Sequence, residues 1–413
     1  MFFHRAAALL FLPSSSPPPS PSRASPRSRR HTYLRISLTE RCNLRCTYCM
    51  PPDGVDLTPK EHLLSTGELR RLASLFAALG VRKVRLTGGE PTLRPDLLEL
   101  SRAIASQPGI DTVGLTTNGV SLGAGGAGAG GREKVDSRVA ALRDAGVTSL
   151  NISLDTLRPE RFELLARRPR AGHAAALAAI ESATRAGFRD AVKANVVVMR
   201  GVNDDEVGDF SRWALSTGVN VRFIEFMPFE ANSWSTKKVV SYKEMLARAR
   251  EGVRDFGGEL APLDERSGAA FERKHYDGVA KDFVLSGSSS ASPSPSSGSS
   301  SSSNGGSSSS SSSNGGSSPR PGVVSFITSM TSPFCSSCTR LRLLADGNLK
   351  VCLLGGAEAS LRDAMRGGCS DADLSLLVRG ALANKKAAHA GMGELAKEGR
   401  GVGAGRAMVR IGG

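Results

Sequence analysis

Cys42, Cys46 and Cys49 stand in the segment Arg41-Cys-Asn-Leu-Arg-Cys-Thr-Tyr-Cys-Met50, with C-x3-C-x2-C spacing. A four-iron cubane takes one thiolate per iron, so three cysteines leave one iron open to a small chelating ligand. An open metal position points to catalysis. A structural zinc site would instead close a four-coordinate shell with further Cys or His, and the nearest histidines, His31 and His62, lie outside this loop. A second set, Cys335, Cys338 and Cys352, is spaced C-x2-C-x13-C. It again leaves a position open, either on a second cluster or on a zinc ion completed by His or water. Cys369, followed by Ser-Asp, reads as an ordinary thiol.

Arg340-Leu-Arg342 lies between Cys338 and Cys352. In an extended segment alternate residues project to one side, so both guanidinium forks can face one ligand. Such pairs suit phosphate oxygens through bidentate, charge-assisted hydrogen bonds. Arg35, Arg85 and Lys193 fall on expected strands, where an inward unpaired charge would be costly without an anionic occupant.

The elements that must position these residues follow from periodicity. Six β-rich runs, at Tyr33–Leu38, Lys83–Thr87, Thr112–Thr117, Ser149–Leu154, Val192–Met199 and Val221–Phe226, alternate with helical patterns at 66–79, 95–106, 136–145, 172–187 and 204–216. Pro95 and Pro159 suit first-turn positions. This alternation implies a parallel sheet with crossover helices, and the count predicts an α/β fold with a partial (β/α)6 TIM-type barrel. Distinctive residues collect just after each strand, at the rim where parallel barrels place ligands. They include the cysteine loop, Gly88-Gly89-Glu90-Pro91, Thr116-Thr117-Asn118-Gly119, Ser153-Leu154-Asp155 and Glu225-Phe-Met227-Pro228. The two glycines would let backbone approach a ligand, and Glu90 could accept from a cofactor amine.

Composition narrows the class. No apolar run approaches the roughly 20 residues of a membrane span, so neither a membrane nor, given the absence of basic runs interleaved with aromatics, a nucleic acid is expected as partner. The formal net charge is +15. Residues 1–31 contribute five arginines (Arg5, Arg23, Arg27, Arg29, Arg30) and no acid, yet the remainder stays basic and favours an anionic small molecule. That Arg-, Ser- and Pro-rich start reads as an organellar transit peptide, with the mitochondrial matrix as first choice and another organelle as the alternative. Residues 32–230 are expected to form the barrel core and 231–413 an extension. Residues 286–320, almost wholly Ser, Gly, Ala, Pro and Asn, interrupt it as a disordered insertion between two strands, 281–285 and 323–327. Leu122–Gly131 is a Gly/Ala-rich loop extension.

The cysteine loop resembles the radical S-adenosylmethionine (SAM) superfamily, and the whole of 32–413 outside the insertions is similar to the MoaA-type GTP 3',8-cyclase family of molybdenum-cofactor biosynthesis. The resemblance rests on Cys42-Asn-Leu-Arg-Cys-Thr-Tyr-Cys-Met-Pro51, Leu86-Thr-Gly-Gly-Glu-Pro91, Asn151-Ile-Ser-Leu-Asp-Thr-Leu157, Arg222-Phe-Ile-Glu-Phe-Met-Pro228, the Cys335 set with its Arg-x-Arg, and Ile411-Gly-Gly413. It implies two [4Fe-4S] clusters on Cys42, Cys46, Cys49 and on Cys335, Cys338, Cys352. It implies SAM contacts from Tyr48, Gly89, Ser153 and Met227, and GTP contacts from Arg35, Arg85, Thr116, Lys193, Arg340, Leu341 and Arg342, with the purine at the second cluster's open iron. A deoxyadenosyl radical would take the ribose 3' hydrogen, and ring closure on guanine C8 would give 3',8-cyclo-7,8-dihydro-GTP. Arg340, Arg342, Gly412 and Gly413 would assist that step. The implied partners are GTP, an electron donor and, downstream, cyclic pyranopterin monophosphate synthase; a homodimer is compatible with it. Met330-Thr-Ser-Pro-Phe-Cys335 departs from the family pattern, which has an acidic residue and His where Ser332 and Pro333 stand. A radical SAM enzyme that modifies a peptide with an auxiliary cluster, or a non-catalytic iron-sulfur carrier, are the competing readings.

Overall fold

The computed structural model describes residues 30–126, 128, 130–188, 192–230, 232–263, 279–287, 322–386, 388–389, 391–392, 394 and 406–412. The transit-peptide reading, almost all of the Ser-rich tract and Gly413 lie outside the described residues.

Strands β1 (Tyr33–Ser37), β2 (Lys83–Thr87), β3 (Thr112–Thr117), β4 (Ser149–Ser153), β5 (Lys193–Val198) and β6 (Asn220–Glu225) are each parallel to the next. All six expected strands therefore occur, each within one residue of its expected bounds. Crossovers are made by α1 (Thr66–Ala78), α2 (Leu97–Ala105), α3 (Val120–Gly123), α4 (Gly131–Asp144), α5 (Pro159–Ala166), α6 (Ala171–Arg185) and α7 (Val207–Thr217). After α8 (Tyr242–Arg254) come β7 (Gly258–Pro262), β8 (Lys281–Gly287), β9 (Val323–Ile327), β10 (Arg340–Leu343), β11 (Asn348–Lys350), β12 (Glu358–Ser360), α9 (Leu361–Arg366) and α10 (Asp371–Ala383).

One sheet holds all twelve strands, in the order β12-β11-β10-β1-β2-β3-β4-β5-β6-β9-β8-β7. It does not close, as the partial barrel required. The chain after β8 joins both edges of the six-stranded core: β9 pairs parallel with β6, and β10 pairs parallel with β1. The segment between β9 and β10, which carries Cys335 and Cys338, therefore crosses the opening that the core strands leave. The expected hairpin is present, with Lys281 opposite Phe326 and Val284 opposite Val323.

Strand alternation explains why the sheet curls around a polar interior. Leu34 and Ile36, Val84 and Leu86, Leu150 and Ile152, Val221 and Phe223, and Leu341 and Leu343 belong to the main apolar core under the helices. The alternate positions (Arg35, Arg85, Asn151, Asn195, Arg222, Arg342) face the other way. α1 shows the matching stripe, burying Leu69, Leu72, Ala73 and Phe76, and starts on a capping box between Ser65 and Glu68. Pro159 occupies the first turn of α5 as expected. Pro95 does not begin α2, which is capped at Asp96.

Other expected boundaries move too. α4 starts at Gly131 rather than 136, because its first turn, Gly-Arg-Glu-Lys, is polar and offers no apolar period to read. Leu122–Gly131 is not all loop, since α3 takes its first residues and α4 its last. β8 continues through Ser286 to Gly287, because pairing with Glu259 and Gly258 of β7 satisfies that backbone.

Phe223 is fully buried, with ring centroids 6.2 Å from Phe210 and 5.7 Å from Phe326. It joins β6 to β9 and so to the extension. Phe223→Ala should cost about 3–5 kcal/mol of stability in denaturant unfolding; a loss near zero would mean that this packing does not hold β9 on the core.

Candidate active site

The first cysteine loop leaves β1 and is pinned from two sides. Arg45 and Thr47 donate backbone N–H groups to Ala166 O and Leu165 O at 2.9 Å, on α5. On the other side, Gly89 N–H donates to Thr39 O at 2.7 Å and Glu90 N–H to Arg41 O at 2.8 Å. A Cβ on Gly89 would stand 2.3 Å from Arg41 O, and one on Gly88 2.5 Å from Thr39 O. The glycines thus serve a close approach of backbone to the cysteine loop. The close approach that the glycine pair implied is made first to the protein's own backbone.

Glu90 has protein partners of its own. Its Oε1 accepts from Thr92 N (3.1 Å), Thr92 Oγ1 (2.6 Å) and Thr117 Oγ1 (2.6 Å), and its Oε2 from Asn118 N at 2.7 Å. Buried and bonded to protein donors, it organises the β2 and β3 ends, while Oε2, with one donor, keeps acceptor capacity for a further partner. Asn118 passes this order on, donating to Asn43 Oδ1 at 2.7 Å and lying 3.9 Å from Cys42 Sγ.

Cys42, Cys46 and Cys49 are half-buried free thiols. Burial pushes all three upward from the ordinary thiol range. Thiolates there need a cationic occupant. Backbone donors already point at the sulfurs: Leu44 N–H to Cys42 at 3.4 Å, and Val409 N–H to Cys49. Three sulfurs with such donors fit an iron-sulfur cluster. Among the described residues, no three His, Cys, Asp or Glu side chains gather as the shell of a single metal ion.

Tyr48 is buried and donates its hydroxyl to Asp155 Oδ2 at 2.9 Å. Val197 N–H donates to Asp155 Oδ1 at 2.9 Å. Burial still holds the Asp155 carboxyl at about 6, above its usual range. Ser153 ends β4 opposite Asn195, and Met227 follows β6 with its carbonyl taken by Asn232 at 2.9 Å.

A cavity opens inside the curled sheet beneath the β9–β10 crossing. Its walls include Arg35, Arg222, Arg340, Arg342, Lys385 and Lys386, all three cysteines of the second set, Met227 and His389. No Asp or Glu is among its lining residues. Arg342 and Arg35 lie opposite each other across β10 and β1, and Arg35 opposite Arg85 across β1 and β2. Burial, then the charges of Arg35 and Arg340, pushes the Arg342 guanidinium well down from its usual value. Asn151 Oδ1 and Asn195 Oδ1 are buried here without a hydrogen-bond partner among the described residues. Polar atoms in that state want a ligand.

Arg85 stands apart from the cavity wall. Its guanidinium donates to Tyr33 Oη (2.8 Å), Leu115 O (3.4 Å) and Ser149 Oγ (3.4 Å), in space that Gly114 leaves by lacking a Cβ. Thr116 and Lys193 occupy inward strand positions beside Asn151 but do not line the cavity. Leu341 turns its side chain into the main core, leaving only its backbone for a ligand.

The chain's end closes the arrangement. Gly412 lies against Ser37 and Thr87, where a Cβ would be 3.1 and 2.9 Å from their side chains, and its φ of +74° suits glycine. Its carbonyl accepts from Arg342 Nη1 at 2.8 Å. At the substituted Ser332–Pro333 pair, Ser332 Oγ accepts from Lys281 Nζ at 2.7 Å and Pro333 lines the cavity. Cys369 sits between α9 and α10 and does not line the cavity. Arg222, Lys385, Lys386 and His389 were not expected as site residues. Arg222 shares the inward strand parity of Arg35, which could have flagged it.

Residues 36–214 match the family model described as Radical SAM superfamily, and residues 299–391 match Molybdenum Cofactor Synthesis C. The chain is 44% identical over 385 residues to a mitochondrial GTP 3',8-cyclase of Arabidopsis thaliana, spanning 93% of this chain and 82% of that one. It is 35% identical over 363 residues to a GTP 3',8-cyclase of Rhodopirellula baltica, spanning 87% and 85%. It is 42% identical over 364 residues to molybdenum cofactor biosynthesis protein 1 of Homo sapiens, spanning 88% of this chain but only 48% of that protein.

Gly89→Ala forces a methyl onto Arg41 O and should cost about 1–3 kcal/mol in unfolding while lowering the iron retained after reconstitution. Unchanged stability and iron would show that the cysteine loop does not rest on this contact.

Proposed function

The chain belongs to the GTP 3',8-cyclase family, and from that premise we propose that its basic cavity takes GTP and that its first cysteine loop holds the cluster at which SAM is cleaved. The observation that carries this reading is the cavity itself: four arginines and two lysines share its wall with three cysteines, and no carboxylate among the described residues lines it. A polyanion is the occupant that relieves such a wall, and guanidinium forks suit triphosphate oxygens.

The chain's residues divide the work. Arg35, Arg222, Arg340 and Arg342 would grip the triphosphate, with Arg85, Thr116 and Lys193 extending the same inner face. Asn151 and Asn195 would meet hydroxyl or amine groups of the nucleoside. Cys335, Cys338 and Cys352, at the same cavity, would hold a second cluster near the purine; their free thiols suit it, and the resemblance implies it. Leu341 would contribute backbone contacts only. Tyr48, Gly89, Ser153 and Met227 would flank SAM on the rim. When bound, the first cluster supplies the electron that cleaves SAM and starts radical chemistry at the ribose. The protein's share is to hold the reacting parts together and keep water out.

Gly412 and the following Gly413 would stand at that centre, since the described tail already reaches Arg342. The product would be 3',8-cyclo-7,8-dihydro-GTP, passed to the synthase of cyclic pyranopterin monophosphate, with an electron donor upstream. The Arg-rich start and the mitochondrial relative support import into the mitochondrion. A peptide-modifying enzyme or a cluster carrier would have no use for a cavity charged in this way.

Replacing Arg340 and Arg342 together by Ala removes two charged donors, each worth about 1.5–3 kcal/mol. GTP affinity by anaerobic equilibrium dialysis should fall about a hundredfold or more, with basal SAM cleavage retained. Unchanged GTP affinity would refute the assignment of the cavity.

A further inference from the structure

The described tail, residues 406–412, touches both cysteine sites, and one side chain at its start fastens it. Arg406 Nη1 lies 2.8 Å from Asp346 Oδ2, and Nη2 lies 2.8 Å from Glu358 Oε2. The three side chains retain only 20%, 10% and 16% exposure. This is a two-pronged, partly buried grip, unlike the solvent-screened pairs on the helix surfaces.

Glu358 carries the connection further. It faces Lys350 across β11 and β12, with Nζ 3.5 Å from Glu358 Oε1. Lys350 is fully buried and donates to Gly355 O. A Cβ on Gly355 would stand 3.2 Å from Cys352 Cβ, so Lys350 holds the turn on which Cys352 sits. Asp346, the other partner, fixes the β10–β11 turn by accepting from Asn348 N and Nδ2 at 3.1 and 2.9 Å.

Beyond Arg406, most of the tail's residues bear on a site. Ala407 and Val409 pack with Met50 beside Cys42 and Cys49. Val409 N–H reaches Cys49, and Arg410 donates to Asp56 O. Met408 and Ile411 line the cavity, and Gly412 O takes Arg342.

We propose that Arg406 is a positioning residue: its grip on Asp346 and Glu358 fixes the tail across both cysteine sites and ties it to the seat of Cys352, which sets productive turnover. The turnover part rests on the GTP reading above; the anchoring part does not. Arg406 touches neither cavity nor thiol, so it would act through the tail.

The test compares wild type, Arg406→Gln and Arg406→Lys as full chains reconstituted anaerobically. In Arg406→Gln, backbone hydrogen exchange of the 406–412 segment should quicken at least about tenfold while β3–β5 stay protected. With SAM, reductant and GTP, kcat for cyclised product should fall about tenfold or more, with the KM for GTP within about threefold. Arg406→Lys keeps the charge without the fork and should be intermediate in both readouts, which separates an anchor from general unfolding. It also serves if Arg406→Gln does not fold. Tail exchange within about twofold of wild type would overturn the anchor. A loosened tail with unchanged turnover would overturn its role in the reaction. A wild type that makes no cyclised product would refute the GTP reading, while the exchange comparison would still decide the anchor.

Discussion

Like charge gathered inside the barrel is the constraint on which the rest depends. Arg342, Arg35 and Arg85 stand side by side across β10, β1 and β2, and Arg222 and Arg340 face the same interior. Cations buried together repel and lose hydration, at a cost repaid only by good partners. Arg85 finds them in Tyr33, Leu115 and Ser149. Arg342 has Gly412 O, and its guanidinium is still driven down by burial and then by the charges of Arg35 and Arg340. In the reading proposed above, a polyphosphate is the countercharge for this interior, so the charges that would grip the substrate are the ones that burial disfavours.

That constraint also explains why the extension is threaded through the barrel. β10 delivers Arg340 and Arg342 to one edge, β9 covers the other, and their connection sets Cys335 and Cys338 over the opening. Glu225, fully buried at the end of β6, fastens this crossing by accepting from Met330 N at 2.6 Å and Thr331 N at 2.9 Å. A carboxylate buried in this way earns no catalytic reading; it locks the approach to the second cysteine set.

Much of this was legible in the sequence because polar–apolar alternation along strands has one outcome in a curled parallel sheet. Arg340-Leu-Arg342 could be read as a one-sided pair, and Leu341 turns outward as that parity demands. Glu90 could be read as an acceptor, but a sequence does not show that Thr92, Thr117 and Asn118 already donate to it. The Gly88-Gly89 pair likewise marked a close approach without saying to what, and the answer is Thr39–Arg41. Lys385, Lys386 and His389 follow α10 with no periodic signal, so their place on the cavity wall depends on long-range folding. Arg406 is one more arginine in a basic chain until Asp346 and Glu358 meet it.

The most direct test measures 5'-deoxyadenosine from SAM in the anaerobically reconstituted chain under strong reductant, with and without GTP, alongside mass detection of the nucleotide product. The account predicts cleavage that rises with GTP and a cyclised nucleotide isomeric with GTP before further processing. Cleavage indifferent to GTP, with GTP recovered unchanged, would contradict it.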